Sequence, residues 1–201
     1  RMLKMVITEA GEVGLSCGPL PQIVLRPTLH AMSRIGEPKE IVEIAARIFG
    51  GNANVMDVLQ VIWACCDDDV SDYTGHVSFD EESAKPVYVG GAMPLDDAVV
   101  IAAHLLEHGV IGKTKHKVKN AGNSRANSEF VASEYAALAI AHLGMSEREA
   151  WATSMTTLVN ALHSKFPDLG KPSGPGANAP SLDELDADME WLDKVNKLRG
   201  G

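Results

Sequence analysis

The 201 residues, 45% hydrophobic and 22% charged, have the proportions of a globular chain with enough apolar side chains for a real core. A net charge of −9 and a pI near 5.2 argue against general nucleic-acid binding. No apolar run reaches the ~18 residues of a membrane span, so no membrane partner is expected.

The opening residues, "RMLKMVITEAG", lack the apolar stretch of a signal peptide. "EVGLSC" sets Val13, Leu15 and Cys17 on one face, "GPLP" interrupts, and "QIVLR" resumes a β-favouring run. This pattern predicts a hairpin, with a short preceding strand in "KMVIT". "RPTLHAMSRIG" follows as a short helix carrying Leu29, Met32 and Ile35, stopped by Gly36. "EPKEIVEIAARIFGG" is a clearer one. Pro38 suits its first position, Ile41, Ile44, Ala45 and Ile48 form its stripe, and Gly50 and Gly51 end it. In "NANVMDVLQVIWACC", Asn54 is placed to cap and Asp57 sits in the first turn. Its apolar residues surround the axis, so the helix is expected to be central.

Residues 67–92 are acidic and then turn-rich, with one short strand expected at Val87–Val89. "PLDDAVVIAAHLLEHG" reads as a strong helix with Asp96 and Asp97 at its positive end and Gly109 as its stop. Residues 112–127 read as a basic loop, and "SEFVASEYAALAIAHLG" as an alanine-rich helix. "MSEREAWATSMTTLVNALHSKFP" predicts one helix, opened by a Ser146/Glu149 capping box and stopped by Pro167. Trp151, Met155, Leu158, Leu162 and Phe166 lie along it as a single apolar stripe. "PDLGKPSGPGANAP" has linker composition. Residues 181–201 predict an amphipathic helix with Leu182, Leu185, Met189, Leu192 and Val195 on one side and Trp191 beside them.

The expected fold is therefore mainly α: a helical domain with a small N-terminal β-hairpin and a linker-tethered C-terminal helix. Its parts are an N-terminal hairpin region packed on the helical body (1–27), the helical domain (28–166), the linker (167–180) and the terminal helix (181–201).

The sharpest chemical motif is "HLLEH". His104 and His108 stand one helical turn apart with Glu107 between them, the H-x-x-E-H spacing of one class of zinc peptidases. The competing reading is that a histidine at a helix end meets the negative end of the helix dipole. No third ligand is evident, so no metal and no cofactor are expected, and a small zinc-dependent hydrolase using His104, Glu107 and His108 stands as an alternative. The three cysteines include adjacent Cys65 and Cys66, which fit buried, reduced thiols of a cytosol better than a disulfide framework or a metal site. The G-x-S-x-G spacing of Gly14–Gly18 lies within the β-favouring run and not at a strand-to-helix turn, so it makes no nucleophile elbow; there is no phosphate loop, and no enzyme activity is expected.

Two stretches carry a resemblance. "VLRPTLHAMSRIG" is similar to the strand-to-helix opening of small phage tail-module proteins. "LGMSEREAWATSMTTLVNAL" resembles the phage tail assembly chaperone pattern L-G-W/M-S-x-x-E-A/F-W-x-M-T-x-x-E-L, with Gly144, Ser146, Glu149, Trp151, Thr156 and Leu158 at its positions. The resemblance spans roughly residues 8–166. It implies a non-catalytic chaperone or adaptor in the cytoplasm of the infected bacterial host, binding the tape measure protein, the tail-tube protein or both. Self-association into a homo-oligomer is a further expectation from the oppositely charged loops, and a structural component of the phage particle is the second reading. Trp151, Met155, Leu158, Leu162, Leu185, Met189, Trp191 and Leu192 are the residues expected to face a partner.

Overall fold

The computed structural model describes residues 3–79, 86–113 and 129–167. Within them the protein is mainly helical, with two small antiparallel sheets. The predicted terminal helix and linker, with Leu185, Met189, Trp191 and Leu192, lie outside the described residues, as does most of the predicted basic loop.

The N-terminal sheet has three strands in the order β1 (Leu3–Ile7), β2 (Val13–Cys17), β3 (Ile23–Leu25). The "KMVIT" run thus joins the hairpin as a third strand, pairing Met5 with Leu15 and Ile7 with Val13. The expected alternation in β2 holds: Val13, Leu15 and Cys17 are all buried, and the register sets Leu15 opposite Ile23 and Val13 opposite Leu25. The edge strand β1 instead leaves Met5, Val6 and Ile7 exposed.

Helices α1 (Leu29–Ser33), α2 (Pro38–Phe49) and α3 (Val55–Ala64) follow. Their starts were written locally. Thr28 accepts from the Ala31 amide, Glu37 and Glu40 form a capping box behind Pro38, and Asn54 and Asp57 form another. α3 packs against α5 (Leu95–Leu106) and buries Val58, Val61 and Ile62. The central position expected for α3 is what the structure shows. One apolar cluster runs from β2 through α1, α2, α3 and α5 to α6 (Ala132–Leu143) and α8 (Met155–Lys165), so the sheet and the helices share a core.

The described residues between 67 and 92 hold more order than the acidity of this stretch implies. A short helix α4 (Ser71–Thr74) precedes a two-stranded ribbon, in which β4 (His76–Phe79) pairs with β5 (Pro86–Val89), the strand expected around Val87. Tyr73 in α4 is fully buried, and its hydroxyl donates to the Pro21 carbonyl at 2.8 Å, fastening this region to the N-terminal sheet.

Two helix boundaries differ from expectation. The helix predicted to stop at Gly109 continues as a π-helical turn over Glu107–Ile111, closed by the Gly112 amide donating to the Glu107 carbonyl at 2.9 Å. Gly112, at φ 81°, is the terminator. Gly109 serves packing: a Cβ there would lie 2.6 Å from the Met32 sulfur. The single helix predicted from Ser146 to Pro167 is two, α7 (Glu147–Ala152) and α8. The capping box of Ser146 and Glu149 opens α7 as expected, but Thr153 turns extended (φ −86°, ψ 152°). Ser154 then caps α8 by accepting from the Thr157 amide at 3.2 Å. Hydroxyl side chains in "ATSMTT" compete for backbone bonds in this way, and apolar spacing alone does not register it.

Candidate functional site

Two places bring together side chains capable of function. The first is an open cleft of about 340 Å³ where α1, α7 and the end of α3 meet. It is lined by Trp151 together with Arg26, His30, Arg34, Asp67 and Arg148. Trp151 is half-buried and meets the His30 ring edge-on, with centroids 6.2 Å apart at 88°. Arg34 is fixed by the negative end of α3: its Nη2 donates to the Ala64 carbonyl at 2.7 Å and the Cys66 carbonyl at 3.1 Å, and Nη1 lies 3.6 Å from Asp67. Arg26 leans on Glu12 at 3.2 Å. Arg148 meets no acceptor among the described residues. The cleft therefore presents three guanidinium groups and an imidazole, with Arg26 paired to Glu12, Arg34 paired to Asp67, and Arg148 left to meet a ligand, in a chain whose net charge is −9. It suits an anionic group lying beside an aromatic or apolar one.

Cys65 also lines this cleft but is buried, and burial pushes its thiol well above the ordinary range, as it does that of Cys66. Both are poor nucleophiles, in keeping with the reading of them as buried thiols.

The second place is the "HLLEH" segment at the junction of α5 and the π turn. His104, Glu107 and His108 each offer one ligand atom, all within 4.8 Å of one another, and the two imidazoles lie 4.5 Å apart. His108 is buried, and its Nδ1 is 2.9 Å from the Thr156 hydroxyl of α8, which also accepts the Lys113 amide at 2.8 Å. The His104 ring is supported by the Gly11 backbone, while its Nε2 is buried with no hydrogen-bond partner. Burial holds both imidazoles below the usual histidine range. Lys113 pairs with Glu107 at 3.3 Å.

The residues expected to face a partner are distributed unevenly. Trp151 is accessible at the cleft. Met155 and Leu158 are buried in the shared core, because the break at Thr153 turns the start of α8 inward against the π turn. Leu162 is half-buried against the same cluster. Sequence reading missed Arg26, His30, Arg34 and Arg148 as a group. Only Arg148 and Trp151, three residues apart on one short helix, left a local signal.

Among the described residues no helix is long and apolar enough to cross a membrane. The fold and the site define a mainly helical protein with two small sheets and a basic cleft beside a tryptophan. A family model described as a family of unknown function, DUF6246, matches residues 47–179, and the chain belongs to that family. No curated protein and no solved structure matches it.

Proposed function

We propose that this protein is a non-catalytic assembly chaperone or adaptor for phage tails, which binds the tape measure protein or tail-tube subunits in the infected cell. The observation that carries the binding reading is the cleft at Trp151. Tryptophan and arginine dominate the energetics of protein recognition because each combines a large contact face with directional donors. Here one tryptophan and three arginines share a concave site. The cleft takes an acidic side chain and an apolar neighbour from a helix of the partner. Exposed apolar residues elsewhere, among them Val6, Ile7, Phe79, Val87 and Val100, extend the surface available to a polypeptide. The phage-tail assignment itself rests on the resemblance of residues 143–162 to the chaperone pattern.

The test is co-expression with the tape measure protein of the same phage. The chaperone reading expects the tape measure protein to stay soluble and to co-elute with this chain, and this chain to be absent from purified particles by mass spectrometry. Recovery of the chain in stoichiometric amounts from particles makes it a structural component instead. Failure to bind any tail protein removes the tail assignment.

A further inference from the structure

We infer that His104, Glu107 and His108 form a binding site for one divalent transition-metal ion of the zinc class, at the point where the turn between β1 and β2 rests on the helical body. The inference is independent of the binding reading above.

Four observations support it. The three ligand atoms already lie within 4.8 Å of one another, whereas a tetrahedral zinc holds its ligands about 3.3 Å apart, so closure needs movements of about an ångström or so. The His104 Nε2 is buried without a hydrogen-bond partner, an unsatisfied polar atom placed for an ion. Each imidazole has its outer support in place: His104 against the Gly11 backbone, His108 through Nδ1 against Thr156. Metal-bound histidines are oriented in this way, one ring nitrogen held by a carbonyl or hydroxyl and the other turned to the ion. Finally, the helix departs from α to π geometry at Glu107, the position of the third donor.

Two imidazoles and one carboxylate are a donor set of intermediate softness, which favours zinc over calcium or magnesium. The site draws on three separate parts of the chain. Gly11 belongs to the turn between β1 and β2, Thr156 to α8, and the ligands to α5 and the π turn. A Cβ on Gly11 would lie 2.3 Å from the His108 ring, so the turn is in direct contact with the site. An ion here is held by one helical segment, whose imidazoles are braced by elements far apart in sequence. The Trp151 cleft is lined by other residues, so the two sites are separate. On binding, Lys113 leaves Glu107 and turns to solvent, where it is already half-exposed.

The test uses the full chain, stripped of metal and titrated with zinc alone, with cobalt as the spectroscopic probe. The inference expects one equivalent of zinc and a visible cobalt spectrum without thiolate charge-transfer bands. It also expects a melting temperature that rises with zinc. His104→Ala and Glu107→Ala each weaken binding at least tenfold and abolish the thermal shift, while His76→Ala does neither. Circular dichroism checks that the variants are folded, and Glu107→Ala serves should His104→Ala fail to fold, because Glu107 is partly exposed. No saturable zinc binding by the wild-type chain overturns the inference. So does retention of the equivalent and the shift in both variants.

Discussion

Arg47 and Asp57 are joined by a two-point ion pair across the turn between α2 and α3: Nε to Oδ2 at 2.9 Å and Nη2 to Oδ1 at 2.8 Å. Asp57 is buried, and the same carboxylate accepts the Asn54 amide at 3.1 Å as half of a capping box. One side chain thus starts α3 and ties it to the end of α2. The Arg47 guanidinium holds the carboxyl below the usual aspartate range, against the opposing effect of burial.

Asp57→Ala is expected to destabilise the fold by about 2 kcal/mol, the loss of a helix cap together with a charged hydrogen bond. The pH dependence has a definite sign. A depressed carboxylate contributes stability above its unfolded pKa of about 3.9 and loses it as the pH falls through the lower folded value. Urea unfolding at pH 7 should therefore separate wild type from Asp57→Asn, and the gap should narrow below about pH 4. A gap that is constant with pH contradicts the ionised pair.

Ser154 makes the break between α7 and α8 and binds the first turn of the chain, donating to the Ala10 carbonyl at 3.1 Å. Ser154→Ala removes this link and the cap of α8 together, for an expected loss of about 1–2 kcal/mol. Amide exchange should rise at the start of α8 and in residues 8–11. Exchange unchanged in both places contradicts the link.

Gly11 stands at φ 92°, with the His108 ring where a side chain would begin. Gly11→Ala is both strained and obstructed, with an expected cost above about 1 kcal/mol, read as a lower denaturation midpoint. A neutral substitution would show that the turn does not rest on His108.

Cys17, Cys65 and Cys66 are all buried and free. Thiol reagents at pH 8 should label the native protein at the rate of unfolding and label all three sites promptly in denaturant. Fast native labelling of Cys65 contradicts its enclosure at the rear of the cleft.

Much of this architecture was legible one element at a time. The alternation of Val13, Leu15 and Cys17, the caps at Asn54 and Ser146, and the all-round apolarity of α3 each follow from local chemistry. The Thr153–Ser154 break escaped because Trp151, Met155, Leu158 and Leu162 keep helical spacing across it. That spacing made Met155 and Leu158 look like one surface with Trp151, whereas the extended residue between them sends them to the core. Strand β5 was expected, but its partner β4 was hidden by the acidity of the preceding residues. The cleft was illegible for a different reason: Arg26, Arg34 and Arg148 meet only once the chain has folded. The "HLLEH" pair was visible at once, but its supports, Gly11 and Thr156, lie in distant elements.

The central claim is that the chain works by holding another polypeptide at the Trp151 cleft. The direct measurement is calorimetric titration of the tape measure protein's helical segments with wild type, Trp151→Ala and Arg148→Glu, each checked by thermal melting. The account predicts binding by wild type, and at least a tenfold weakening in each variant, about 1.4 kcal/mol or more, with melting little changed in Arg148→Glu, whose side chain is exposed. Equal affinity in all three proteins would contradict it.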